Sequence, residues 1–453
     1  MSNTVIDVEC VIVTALGVAF ALALLLRALG RSRPELSITT PFVVGFGLRL
    51  LVIAGVAATG LGAQIRNAPD ELTWLFHAHQ IAAQPWSSGE WLPWNHQSYL
   101  QAIVMAAQLK TLGATVGALR ITQVGISLAG ALLIAAAVYD LAGKREARLA
   151  AWLLALEPAS LLFNDLLLKE SLMELGGGLV VFGAARVWRR LDVTGIAIMG
   201  AGSLVAMGAR WYVGLLLLSC AVVVVLHASL RGLGSGKLRS LPLLYGMVAV
   251  IVVSTPAILA ATSHKSLQEN LQPLHNAEST AAPGAGVTSG NHLALESINY
   301  SSRAAIVENL PQGVYNLLFR PYPWQLGSLS QLLGAIGSLF ALAVLFLLIR
   351  FAIAARGELM SRAGPLIYPF LFIAIAYALA DGNAGQGFRY RTHLVTLAIA
   401  AMVVLRETVR ERRESSTNDL SPEAQAPGRS LLASERAGAR RGRLVPGTPP
   451  PAI

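Results

Sequence analysis

The sequence predicts an all-α polytopic membrane protein with about 11 transmembrane helices, its N-terminus outside and its C-terminus cytoplasmic. Three observations carry this. The 453 residues are 54% hydrophobic and only 13% charged, where a soluble domain has about 25% charged residues, and mean hydropathy is +0.58. Apolar stretches such as 11–29, 41–62, 241–261 and 327–349 reach the roughly 20 residues that cross a bilayer. Lys and Arg gather in the connections 27–33, 144–148, 186–190, 231–239 and 350–362 and in the C-terminal tail, all of which an eleven-span topology puts on one side.

Taken in order, the expected spans are about 11–29, 41–62, 117–142, 148–163, 166–187, 194–209, 211–229, 241–262, 326–350, 364–380 and 389–406. Residues 1–405 form the transmembrane domain. The first span carries Asp7 and Glu9 before it and Arg27, Arg31 and Arg33 after it, so it reads as a retained span rather than a cleavable signal. Segment 98–113 is apolar on one face but short, and carries Lys110. It is expected to lie in the outer interface as an amphipathic helix, with a re-entrant hairpin as the alternative. Counting it as a span would move every later basic connection outside.

Two external loops follow from this reading. Loop 63–116 holds Asp70 and Glu71, then Trp74, His77 and His79, and a turn-rich stretch with Trp86, Trp91 and Trp94 suited to the headgroup layer. Loop 263–325 has a Gly/Ala/Ser/Thr-rich centre at 281–291 and returns through Arg320-Pro321-Tyr322-Pro323-Trp324. Loops of such length usually serve function. The tail 406–453, rich in Pro, Ser, Ala and Arg, reads as a disordered basic cytoplasmic segment that can rest on anionic headgroups. Cys10 and Cys220 both lie in apolar spans and form neither a disulfide framework nor a metal spacing. The richness in Ala, Leu, Gly and Arg points to a GC-rich bacterial genome and a multi-pass inner or plasma membrane protein.

Ionisable residues at membrane depth cost about 2.5–3.5 kcal/mol each on insertion scales and mark sites. In this topology they collect at the outer ends of the spans. Asp70 and Glu71 stand where a carboxylate could take a proton from an acceptor hydroxyl; the structural alternative is a helix start after Pro69. Asn164, Asp165, Lys169 and Glu170 fill the tight junction between two spans, with Glu174 one turn on. Lys169 suits a phosphate, or else joins its acidic neighbours in an ion-pair cluster that only connects helices. Arg210, Arg320, Arg389 and Arg391 run against the positive-inside bias. The last two follow a Gly-rich stretch, 381–388, of a kind that can wrap a phosphate. Each arginine singly can be a snorkelling side chain. His77, Ala78 and His79 would aim two imidazoles at different faces, which is poor ligand geometry. No cofactor is assigned with certainty from the residues, and a divalent ion held by Asp70 or Glu71 with a donor phosphate stays an open variant.

The order of features resembles a family. An apolar span leads to an external acidic pair and an interfacial helix ending in Leu109-Lys110-Thr111-Leu112-Gly113. Then come Ala118-Leu119-Arg120, the run Tyr139 to Lys144, the run Ala150 to Pro158, and the outer polar junction. Over about residues 60–190 this resembles the GT-C superfamily of membrane glycosyltransferases, in the branch of the protein O-mannosyltransferases and lipid A aminoarabinose transferases. The end from Asn383 to Arg391 looks like that of GT-C-like proteins from polysaccharide gene clusters.

The resemblance implies a GT-C-like fold and transfer of a sugar from a polyprenyl-phosphate-linked donor at the outer face of the membrane. The acceptor would be an envelope glycan, a lipid or a protein, and no nucleic-acid partner is expected. Asp70, with Glu71 beside it, would activate or orient the acceptor. Lys169, Arg210, Arg320, Arg389 and Arg391 would neutralise the donor phosphate, supported by Asn164, Asp165 and Glu170. The chain departs from the family's pattern in having an extra first span and no separate soluble domain. Two other readings stand beside this one: a polymerase or ligase of lipid-linked oligosaccharides, and a lipid-linked sugar flippase or transporter.

Overall fold

The computed structural model describes residues 3–59, 68–92, 99–234, 301–327 and 329–419, with isolated positions between 263 and 295. The expected span 241–262, the loop centre 281–291, Trp94, and the tail beyond 419 lie outside the described residues. Contacts divide the chain into a unit of residues 1–407 and a second of 408–453; only the first is developed below.

The described elements are helical. They are α1 (Asn3–Ser32), α2 (Thr39–Thr59), α3 (Ala68–Ala83), α4 (Leu100–Leu112), α5 (Val116–Ala142), α6 (Lys144–Ala155), α7 (Pro158–Phe163), α8 (Glu170–Arg189), α9 (Val193–Ala209), α10 (Trp211–Gly234), α11 (Arg303–Phe319), α12 (Leu329–Ala354), α13 (Leu359–Ala380) and α14 (Ala384–Asp419). Among the described residues seven segments are long and apolar enough to cross a membrane, drawn from α1, α2, α5, α10, α12, α13 and α14. This is a helical, multi-pass arrangement. Of the other expected spans, α8 is long enough but carries Glu170, Glu174, Arg186 and Arg189, and α9 is a shorter apolar helix of 17 residues.

Segment 148–163, expected as one span, is broken instead. Helix α6 stops at Ala155 and α7 starts afresh at Pro158. Backbone groups freed inside a protein at membrane depth need partners, and the break supplies them. The buried Arg49 of α2 donates to the Ala155 carbonyl at 2.7 Å and to Ser160 Oγ at 2.7 Å. The Glu157 carboxylate caps α7 by accepting from the Ala159 N–H at 3.1 Å and from the Ser160 N–H. A capping carboxylate followed by proline at the first helical position is a helix start in its own right.

Helix α8 is central, packed between α5 and α9, and glycines let the backbones approach. A Cβ on Gly130 of α5 would lie 2.4 Å from the Glu174 carbonyl oxygen, and one on Gly178 of α8 would lie 2.4 Å from the Gly130 carbonyl oxygen. Association of helices within lipid relies on such close packing, since lipid offers apolar side chains as good a home as protein does.

Two polar layers mark the ends of this bundle. Arg120 near the start of α5 pairs with Glu71 at 2.9 Å, and Asp140 near its end pairs with Arg33 and Arg189. At about 1.5 Å of rise per residue, Arg120 and Asp140 stand about 30 Å apart along the helix, which is the thickness of a bilayer's hydrocarbon core.

Candidate functional site

The site candidates converge at the Arg120 end, and α3 begins the assembly. Asp70 and Glu71 occupy its first turn, where the helix dipole favours carboxylates. Being adjacent, they point apart and meet different partners. Glu71 is buried; it pairs with Arg120 and accepts the Leu167 N–H at 2.8 Å. It thereby ties α3 to α5 and to the α7–α8 junction. Asp70 keeps 43% of its side chain exposed and accepts from Arg389 Nη1 at 3.1 Å.

From Arg389 a chain of charge runs inward. Its Nε lies 4.0 Å from Glu170 Oε1, and the same oxygen accepts from Arg210 Nη2 at 2.8 Å. Glu170 opens α8, Arg210 is the turn between α9 and α10, and Arg389 is in the first turns of α14. Two guanidinium groups thus flank one buried carboxylate, with Asp70 at the rim. The two guanidinium groups and two carboxylates balance in charge, and in this largely dry setting an anion that displaces the half-exposed Asp70 carboxylate gains a strong attraction to Arg389.

Aromatic groups back the cations. Tyr377 and Tyr390 stack with centroids 4.5 Å apart, and the Arg210 guanidinium lies 4.2 Å over the Tyr390 ring. The Tyr377 hydroxyl and His393 Nδ1 are 2.6 Å apart, and His393 Nε2 is 3.1 Å from the Glu170 carbonyl oxygen, so the imidazole bridges α13 and α8. Lys169 Nζ sits 4.3 Å over the Trp74 ring, which places it against α3.

The other candidates serve elsewhere. All three guanidinium nitrogens of Arg391 donate to backbone carbonyls, those of Gly387, Leu318 and Arg320. Arg391 therefore fastens the end of α11 to α14, while the Arg320 side chain lies over Tyr322. Buried Asn164 donates to Ser127 and Ser160, each at 2.9 Å, and to Glu174, joining the Arg49 network at the break. Asp165 is buried at the same junction. His77 is half-buried, 3.3 Å from the Tyr99 hydroxyl, while His79 is exposed. Among the described residues no three of His, Cys, Asp and Glu gather as a metal site.

Reading the sequence for polar groups at span ends missed Arg49, Arg120, Tyr377, Tyr390 and His393. A signal existed for Arg49 and Arg120, which are lone cations in apolar segments. The aromatic members carried none, since Tyr in a span is ordinary.

No protein-family model, curated protein or solved structure matches this chain.

Proposed function

We propose that the protein transfers a sugar from a polyprenyl-phosphate-linked donor to an acceptor at the face of the membrane where Asp70, Glu170, Arg210 and Arg389 meet. The reading includes eleven spans, with the N-terminus and this face outside and the Arg33 end in the cytoplasm. One observation carries it: a partly exposed carboxylate, Asp70, is bonded to a buried arginine that belongs to a cluster with Arg210 and Glu170.

In this reaction an acceptor hydroxyl attacks the anomeric carbon, the bond from that carbon to the phosphate oxygen breaks, and the acceptor's proton passes to Asp70. Charge develops on the departing phosphate, and fixed cations aimed at that position stabilise the transition state. Arg389 is suited to this role, with Arg210 and Lys169 in support. A donor phosphate arriving at Arg389 competes with Asp70 for the same fork, releasing the carboxylate toward the acceptor just as the donor is seated. Glu71 acts at one remove, by holding α3 against Arg120.

A second reading, movement of a lipid-linked sugar across the membrane, draws on the helix broken between α6 and α7, since interrupted helices line many transport sites. Against it, Arg49, Ser160, Asn164 and Glu174 bond to one another and to backbone. Incubating membranes that contain the protein with extracted lipid-linked sugars separates the two. Loss of a lipid-linked monosaccharide, with sugar appearing on an acceptor, supports transfer. Relocation of intact lipid-linked sugar between leaflets contradicts it.

A further inference from the structure

At the opposite end of α8 from Glu170 lies a second charged site that sugar transfer does not use. Ser32, Arg33, Asp140, Arg186, Arg189 and Arg190 line a cavity of about 300 Å³, within the usual size range of small-molecule sites. Four guanidinium groups face one carboxylate. The pairing inside the cavity is uneven. Arg33 is buried, grips Asp140 with two nitrogens and donates to Ser32 Oγ at 2.9 Å. It neutralises that carboxylate and forms the floor. Arg189 reaches the already paired Asp140 at 3.1 Å while remaining 58% exposed. Arg190 is exposed at the rim.

Arg186 is turned toward Asp192, whose Oδ2 accepts from Arg186 Nε at 2.9 Å and Nη2 at 2.5 Å. Slight burial pushes the Asp192 carboxyl up, but hydrogen bonds from Arg186 and the Thr194 N–H hold it below the usual carboxylate range. Even with both carboxylates charged, the cavity keeps an excess of guanidinium groups whose planar forks match phosphate oxygens.

We infer that this cavity binds a phosphate-bearing anion at the membrane face carrying the Lys and Arg clusters, with Arg189 and Arg190 as the ligand-facing cations and the Arg33–Asp140 pair as their fixed base. The position fits an anionic lipid headgroup: the cavity lies about one hydrocarbon thickness along α8 from Glu170, where headgroup phosphates reside. Free phosphate presents the same chemistry without the acyl chains.

The test places full-length protein in nanodiscs of phosphatidylcholine doped with phosphatidylglycerol and measures co-purified lipid by native mass spectrometry. Wild type is compared with an Arg189→Gln/Arg190→Gln double variant, and with Arg190→Gln alone should the double variant lower the unfolding temperature. Selective retention of phosphatidylglycerol, reduced about ten-fold in the variant as expected for loss of charge-assisted bonds, supports the lipid form. A second arm adds millimolar inorganic phosphate. Protection of wild type alone against thermal unfolding, without lipid selectivity, assigns the cavity to soluble phosphate. Equal retention of both lipids by wild type and variant, with no response to phosphate, overturns the proposal.

Discussion

Asp70 and Arg389, 319 residues apart in sequence, meet at 3.1 Å, the carboxylate half in solvent and the guanidinium almost wholly enclosed. An enclosed cation with an exposed partner is half of a binding site, because an incoming anion can replace the exposed group without uncovering the buried one. Arg389→Gln is therefore expected to lower transfer by at least about a hundred-fold, the scale of losing one preorganised charge donor in a dry site. Arg389→Lys should recover little, since an ammonium cannot span Asp70 and Glu170 as the planar fork does. Steady-state kinetics with a purified lipid-linked donor checks both.

Glu71 stands beside Asp70 in sequence yet faces Arg120 and the Leu167 N–H. Removing one partner of a buried pair leaves the other uncompensated, at a cost of about 3–5 kcal/mol. Glu71→Gln is expected to lower the unfolding temperature in detergent clearly, while Asp70→Asn leaves it near wild type. Equal effects of the two substitutions would contradict the division of labour between the neighbours.

The contact of α5 with α8 makes its own prediction. Gly178→Ala places a methyl carbon 2.4 Å from the Gly130 carbonyl oxygen, whereas a Cβ on the adjacent Gly177 meets nothing within 4 Å. The first substitution should destabilise the protein by about 1–3 kcal/mol or more, the usual cost of overpacking. The second should be neutral or better, given the higher helix propensity of alanine. Paired thermal melts decide it.

At the break between α6 and α7, Arg49 holds the Ala155 carbonyl and Ser160, with the buried Glu157 and Glu174 close enough to interact with its charge. Arg49→Met should destabilise by about 3 kcal/mol, from uncompensated carboxylates and an orphaned carbonyl. Adding Glu174→Gln should return part of that loss. A double-mutant cycle showing strict additivity would contradict the coupling.

Much of this was legible in the sequence because the bilayer imposes simple rules. The positions of α1, α2, α5, α9, α10, α12, α13 and α14 followed from apolar length, whereas α11 lies within a stretch expected as a loop, and Asp70, Glu170, Arg210 and Arg389 stood out as charges at span ends. Which charge faces which was not legible. Arg389 and Arg391 lie two residues apart on a helix and so point to nearly opposite sides; only one reaches Glu170, and the residues alone do not say which. The fate of 148–163 was obscured for a different reason. Its apolar composition satisfies a length criterion, while the break rests on a cap at Glu157 and a partner, Arg49, supplied from another helix. The tyrosine pair behind Arg210 carried no signal, because a stack between α13 and α14 arises only when the helices pack.

The central claim is that the carboxylate at the rim of the Arg389 cluster takes the acceptor's proton. The most direct measurement is consumption of extracted lipid-linked sugars by membranes bearing wild type or Asp70→Asn, with insertion and thermal stability matched. The account predicts loss of a lipid-linked monosaccharide with wild type and a fall of at least about a hundred-fold with the variant. Equal consumption by both proteins would contradict it.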